Sequence, residues 1–506
     1  MSIILRPASR SCISGKRWIS LRSNVHQASP RTVGSEMPSN PVKQLYNLRE
    51  IDLLTSKIAN SSPSTVNHPS PLVMRALPAP WLTSASPNLS SQSSTDDVGP
   101  DPRFEELERE PLSPKHMSES FTSFDLPLAS DAVLYDRYVN TSGGFRMGKL
   151  LEHLDSLAGA VAYRHCLPPP KTNSAEAFHK ASAKASLYLA TASADRLDMF
   201  GRLNRDNVRD LKFSGFVTWT GNSSMEVVVK MEGSRILPGE KMWETLMLGS
   251  FAMVCRDSKT HRARKVPPLV VDREEEKILC AISDEHQKRR KSSVMKALDK
   301  VPPSSEEAKE LHELMLTVQE SKDGKIDGQE IVKMKDTEIE TVQLMHPQDR
   351  NLHGKVFGGI LMRLVSITSI LELCFANASL FTVGPLRFLA LDQITFRLPV
   401  PIGAVLRLSS KIVKTTQPHE GPDGEAKVHV MVKAEVEEVE TGIRRETNTF
   451  FFTMAKGGRQ PIGKMVIPST YAEAMHYLEG KRRLEAGDEM RRLYLGEKAG
   501  AVEDAY

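Results

Sequence analysis

The sequence predicts an α+β fold in which one unit is used twice, each unit a loop, a long apolar helix and several antiparallel strands. Three observations predict it. The pattern N-x-x-G-x-x-x-x-G occurs as Asn140, Gly143 and Gly148 and again as Asn351, Gly354 and Gly359, at an offset of 211 (351 − 140). Each occurrence opens into a run of helical apolar spacing, with Leu150, Leu151, Leu154, Leu157 and Ala158 in the first and LMRLVSITSILELCFANASLF (361–381) in the second. Each helix is followed by strand-like alternation: FSGFVTWTG and SMEVVVKME, then FLALDQITFRLPV, AVLRLSSKIVK, KVHVMVKAEVEEV and RRETNTFFFTM. One antiparallel sheet wrapped around one central helix is the simplest way to bury both patterns.

Along the chain, residues 1–35 hold no Asp or Glu but carry Arg6, Arg10, Lys16, Arg17, Arg22 and Arg31 among serines and apolar residues, the composition of a mitochondrial transit peptide. Residues 36–130 are rich in Ser, Pro, Asn and Thr without sustained periodicity and read as a disordered leader. The two patterned units occupy 131–271 and 337–475. Between them 272–336 is charged and reads as solvated helix and linker, and 476–506 as a partly helical tail.

Several classes are disfavoured. A net charge of +4 from 67 basic and 63 acidic residues gives no footprint for nucleic acid, and no helix-turn-helix pattern is present. Five scattered cysteines without CxxC spacing suggest free thiols, with neither a disulfide framework nor a metal site. DGKIDGQE (323–330) resembles a calcium loop, yet its twelfth position is Met334, which cannot ligate as Glu does. The most apolar stretch, 361–381, contains Arg363, Glu372 and Asn377, so no integral membrane segment is expected.

Two places in the units invite a chemical reading. Adjacent Gly358 and Gly359, where a polar loop becomes a helix, let the backbone come close to a neighbour: either a packed element or a ligand on the helix N-terminus. Asn351 in that loop serves either as an Asx-turn residue or as a donor to a bound group. Seven residues past the helix-entry glycine the units differ, with Asp155 in the first and Ser366 in the second. Asp155 lies among Leu150, Leu151, Leu154, Leu157 and Ala158, where burying a carboxylate is costly unless it has a purpose; the alternative is a solvent-facing Asp beside Glu152 and His153.

The stretches RMGKLLEHLDSLAG, KFSGFVTWTGNSSMEV, HPQDRNLHGKVFGG and DQITFRLPVPIG, in that order, resemble the mitochondrial acyl-CoA thioesterases built from two tandem hotdog domains, over roughly 131–475. The resemblance implies hydrolysis of acyl-CoA at the junction of the two domains, without cofactor or metal. It pairs the loop Asn351 of one domain with the helix acid Asp155 of the other, and implies an oxyanion N–H from Gly359. Gly358, Phe357 and His353 would line the substrate. The mirror combination, Asn140 with Ser366, lacks its acid, so one site per chain is expected. Asp155 would act as general base on water or attack directly to give an anhydride. Many relatives carry His where this chain has Phe357, and Arg146-Met147-Gly148 replaces a glycine pair in the first unit. Association into a homo-oligomer is a further expectation from the resemblance.

Other residues are weaker candidates. Asp195 and Asp392 suit loop-holding roles. Arg444, Arg445, Lys411 and Lys414 are possible contacts for the coenzyme A phosphates. A hydratase or dehydratase using His353 or His346, and a non-catalytic acyl-CoA-binding or assembly protein, are the alternative functions.

Overall fold

The computed structural model describes residues 51–58 and, with short interruptions, 112–503; the two longer undescribed stretches inside that range are 168–185 and 346–365. Residues 1–35, Asn351, His353, Phe357, Gly358 and Gly359 therefore lie outside the described residues.

Among the described residues the helices of eight residues or more are α1 (51–58), α2 (Met147–Cys166), α3 (Glu274–Met295), α4 (Ser305–Glu320), α5 (Ser366–Thr382) and α6 (Tyr471–Glu503). The strands of the first half are β1 (Lys115–His116), β2 (Thr122–Leu126), β3 (Leu187–Ala194), β4 (Leu197–Met199), β5 (Leu211–Thr220), β6 (Ser224–Leu237), β7 (Glu240–Asp257) and β8 (Leu269–Val270). After two short strands, β9 (Lys325–Ile326) and β10 (Gln329–Lys333), the second half holds β11 (Ile339–Leu344), β12 (Leu386–Leu391), β13 (Ile394–Thr395), β14 (Val405–Thr416), β15 (Lys427–Glu437), β16 (Arg444–Lys456) and β17 (Lys464–Ile467).

Twelve of these strands form one antiparallel sheet in the order β11-β14-β15-β16-β12-β4-β7-β6-β5-β2, with β3 and β13 paired alongside. The halves meet edge to edge through Ala390↔Asp198, Leu391↔Leu197, Ile394↔Ala194 and Thr395↔Ser193. These pairs obey a twofold rule that relates a first-half residue to the second-half residue 197 positions later (391 − 194 and 394 − 197).

Helix α2 follows from its sequence. Leu150, Leu151, Leu154, Leu157, Ala158, Val161 and Ala162 recur at three- and four-residue spacing and are all buried against the sheet. Arg164 in the last turn complements the negative end of the helix, and the sequence places Pro168, with no N–H to donate, two residues past its end. Helix α5 lies on the same side of the sheet over β14, β15 and β16, and the two helices cross tightly. At the crossing a Cβ on Gly148 would stand 2.7 Å from the Thr368 Cα, so only glycine fits there.

Strand alternation separates two apolar layers. On β6, Val227, Val229 and Met231 join the core under α2, while Val228 joins Leu279 and Ile282 of α3 on the opposite face. The outer layer corrects two expectations. The leader contributes ordered structure, because Ile51, Leu54 and Ile58 form one apolar helical stripe packed on this outer layer, and β2 pairs with β5 from Thr122↔Gly215 to Leu126↔Leu211. Short apolar spacing inside Ser- and Pro-rich composition suffices once a sheet supplies the partner surface. The charged linker is likewise only partly solvated: Leu279 and Ile282 bury, and β10 pairs in parallel with β17 from Glu330↔Lys464 to Lys333↔Ile467. In α3 most charges are exposed, while Glu276 is buried and Arg290 turns in toward the sheet.

Among the described residues no helix is long and apolar enough to cross a membrane.

Candidate functional site

Asp155 is 5% exposed on α2, which excludes the solvent-facing alternative. Its Oδ1 accepts a hydrogen bond of 2.8 Å from the Thr191 hydroxyl on β3. Thr191 is itself buried, and its hydroxyl also lies 3.5 Å from the Met253 sulfur. A buried carboxylate in this apolar setting needs donors, and the Thr191 hydroxyl is one of them.

The helix geometry aims Asp155 at the second half. Gly148, Glu152 and Asp155 recur at spacings of four and three and so share one face of α2. That face meets α5: Gly148 touches Thr368, and the Thr368 hydroxyl donates to Glu152 Oε1 at 2.6 Å. Arg146 at the start of α2 bonds Glu372 of α5. Burial pushes the Glu152 carboxyl up to about 7, against the Thr368 bond and the charges of Lys149 and Arg146, while Asp155 adds to the rise.

The twofold relation tests the mirror position. The helix offset of 211 places Ser366 opposite Asp155, and the strand offset of 197 places Phe388 opposite Thr191 (388 − 191). Phe388 is buried. Both the acid and its hydroxyl partner are therefore missing from the second half. Asn140, the first-half counterpart of Asn351, accepts from Gly144 N–H of its own loop at 2.8 Å, four residues on, which holds the loop closed.

Next to this face Tyr138 and His153 form a dyad, with 2.7 Å between the phenol oxygen and Nε2. Burial holds the His153 imidazole down to about 4, aided by Lys149, and pushes the Tyr138 phenol up to about 12. The Tyr138–His153 bond ties the loop that leads into α2 to the helix.

Asp195 and Asp392 anchor helices. Asp195 receives Arg290 of α3 at 2.8 and 2.9 Å, and the same arginine bonds Glu226, which lies 3.1 Å from His286 Nδ1. Asp195, Glu226 and His286 have the donor atoms of a metal site, but the Arg290 guanidinium already bridges the two carboxylates. Asp392 bonds Arg196, which also grips Asp198 at 2.7 and 3.1 Å; Asp198 in turn receives Arg491 of α6 at 2.8 Å. Lys427 reaches Asp488 of α6 at 2.5 Å, so this buried network ties α6 across both halves of the sheet.

The basic residues considered for coenzyme A have partners already. Arg444 pairs with Glu437 at 2.9 Å, Arg445 with Glu438 at 3.3 Å and Lys411 with Glu338 at 3.2 Å, while Lys414 bonds Tyr477. Sequence reasoning missed Thr191 and Glu152. The signal for Thr191 was a hydroxyl at an inward position of LYLATASA; that for Glu152 was a carboxylate four residues past the helix-entry glycine.

Comparison with known proteins completes the description. Acyl-coenzyme A thioesterase 9, mitochondrial, of Mus musculus is 34% identical over 380 residues, covering 74% of this chain and 79% of that protein. The Homo sapiens protein of the same name is 29% identical over 490 residues, covering 95% of this chain and 96% of that one. Among solved structures, an acyl-CoA hydrolase from Staphylococcus aureus aligns with 18% identity and a TM-score of 0.28, over 34% of this chain and 99% of its own. No family model matches the chain.

Proposed function

The chain belongs to the family of mitochondrial acyl-CoA thioesterases, and from that premise we propose that it hydrolyses fatty acyl-CoA to free acid and coenzyme A between two tandem hotdog domains. The observation that carries this reading is the buried Asp155–Thr191 pair on the face of α2 turned toward the second half.

Thioester hydrolysis needs a base or nucleophile, a held water and donors for the oxygen that becomes negative. In our reading Asp155 supplies the first, either taking a proton from water or attacking the carbonyl to form an anhydride. Thr191 keeps its carboxylate oriented. Asn351 from the other half holds the water or the carbonyl, and Gly359 N–H at the helix entry receives the oxyanion, with Gly358, Phe357 and His353 along the substrate. The loss of both Asp155 and Thr191 counterparts, to Ser366 and Phe388, supports one working site per chain.

We also read residence in the mitochondrial matrix, supported by the acid-free basic N-terminus, and assembly of the chain into a homo-oligomer, to be checked by sedimentation.

The deciding experiment is free-thiol release from short, medium and long acyl-CoAs by the full chain and by the Asp155→Asn and Asn351→Ala variants. Collapse of turnover in both folded variants supports the cross-domain site. Undiminished turnover by Asp155→Asn would remove the acid from it.

A further inference from the structure

Helix α2 presents a second carboxylate beside Asp155. Glu152 precedes it by three residues on the same face, which brings the two Cβ atoms to about 5–6 Å. Through Thr368 it is tied to the helix of the opposite half at 2.6 Å. The groups that face it are Lys149, Arg146 and Asp155 from its own helix, Tyr138 from the preceding loop and Thr368 from α5. Neither cation is committed to it. Arg146 bonds Glu372 of α5, and Lys149 donates to the Arg137 carbonyl at 2.8 Å and lies 5.4 Å above the Tyr138 ring. Among the described residues Glu152 has no salt bridge, and its one hydrogen bond crosses from one half to the other.

We propose that Glu152 is a positioning residue that tunes Asp155, strengthening it as a base when Glu152 is ionised and releasing that effect when Glu152 is protonated. The inference rests on Asp155 being the acid of hydrolysis. Like charges one helical turn apart disfavour each other, so a negative Glu152 makes its neighbour hold a proton more tightly. Burial sets the Glu152 change at about 7, and the Thr368 bond favours its ionised form. The effect therefore falls near neutrality and depends on the two halves being docked.

The test is the pH profile of kcat, by free-thiol release from about pH 5 to 9, for the full chain and for E152Q, T368V and D155N, with circular dichroism as the check on folding. The unsubstituted chain is expected to gain roughly three- to tenfold in kcat through pH ~7, the size a partial proton-affinity change transmits to a general-base step. E152Q loses that limb and stays at the low-pH rate, with KM unchanged. T368V moves the limb to higher pH. A folded E152Q that keeps the limb, or a T368V limb that does not move, overturns the proposal. D155N separates the two readings: if it is inactive while E152Q keeps the limb, the site stands and the role of Glu152 falls. If D155N turns over normally, the site itself falls and the tuning role with it.

Discussion

Thr191 on β3 donates its hydroxyl to Asp155 on α2 at 2.8 Å, and both side chains are buried. A hydrogen bond to the ionised form favours a carboxylate that burial would otherwise disfavour. The bond also restrains the orientation of the carboxylate on the helix.

Replacing Thr191 by Val keeps the shape of the side chain and removes the donor. Losing one buried hydrogen bond to a charged group costs about 1.5–3 kcal/mol, so kcat for acyl-CoA hydrolysis should fall roughly tenfold to a hundredfold. Thr191→Ser should retain most of the rate. Steady-state thiol release measures both, and an unchanged kcat in folded Thr191→Val would detach this hydroxyl from the chemistry.

The distance along the chain explains what the sequence could and could not reveal. The Leu and Ala spacing of α2 is local, so the helix, its buried face and the isolated Asp155 are legible by eye. Thr191 lies 36 residues beyond its acid, across the undescribed stretch 168–185, and becomes its partner only when β3 pairs with β7 under the helix. The Arg491 contact to Asp198 spans 293 residues and joins two elements whose sequences each look like ordinary charged surface. The stripe of Ile51, Leu54 and Ile58 was hidden differently: it is too short to stand out from the surrounding Ser- and Pro-rich composition. Asn351 and Gly359 were read from the sequence and lie outside the described residues.

The contact between Arg491 and Asp198 should carry much of the docking of α6. Both side chains are almost inaccessible, at 3% and 1%, and removing Arg491 leaves buried Asp198 with Arg196 and takes from Asp488 one of its two cations. Arg491→Met should destabilise by about 2 kcal/mol, the scale of a lost charge-assisted hydrogen bond, and the double variant with Asp198→Asn should cost less than the sum of the two single changes. Thermal unfolding of the four proteins provides the cycle. Simple additivity would mean that the two residues act independently.

The ordered part of the leader gives a separate prediction. Leu54 is 6% exposed and belongs to the apolar layer that includes Phe216 and Leu279, and nearby Asp52 pairs with buried Lys230 at 2.6 Å. Leu54→Ala should weaken the docking of α1 by about 2 kcal/mol and raise amide exchange in 51–58 and in the facing turns of α3. Turnover should change little, because this layer lies on the sheet face opposite α2. Exchange rates equal to those of the unsubstituted chain would show that α1 is held by something other than its apolar stripe.

Two neighbours on α2 should make stability respond to acid in opposite ways. His153 is held down to about 4 from 6.5, so between those values the unfolded chain binds the extra proton; its contribution is complete above pH 6.5 and is lost as pH falls toward 4. Glu152 is pushed up to about 7 from 4.5, so there the folded chain binds the extra proton; its contribution is complete below pH 4.5 and is lost as pH rises toward 7. Between pH 4.5 and 6.5 the two slopes, each at most about 1.4 kcal/mol per pH unit, oppose and largely cancel. Glu152→Gln removes one of them. Relative to the unsubstituted chain, this variant should lose stability as the pH is lowered through that window, whereas His153→Phe should gain it. Urea unfolding at three pH values across the window measures the differences, in which all other titrating groups drop out. Parallel pH dependences for all three proteins would mean that neither group titrates differently in the folded state.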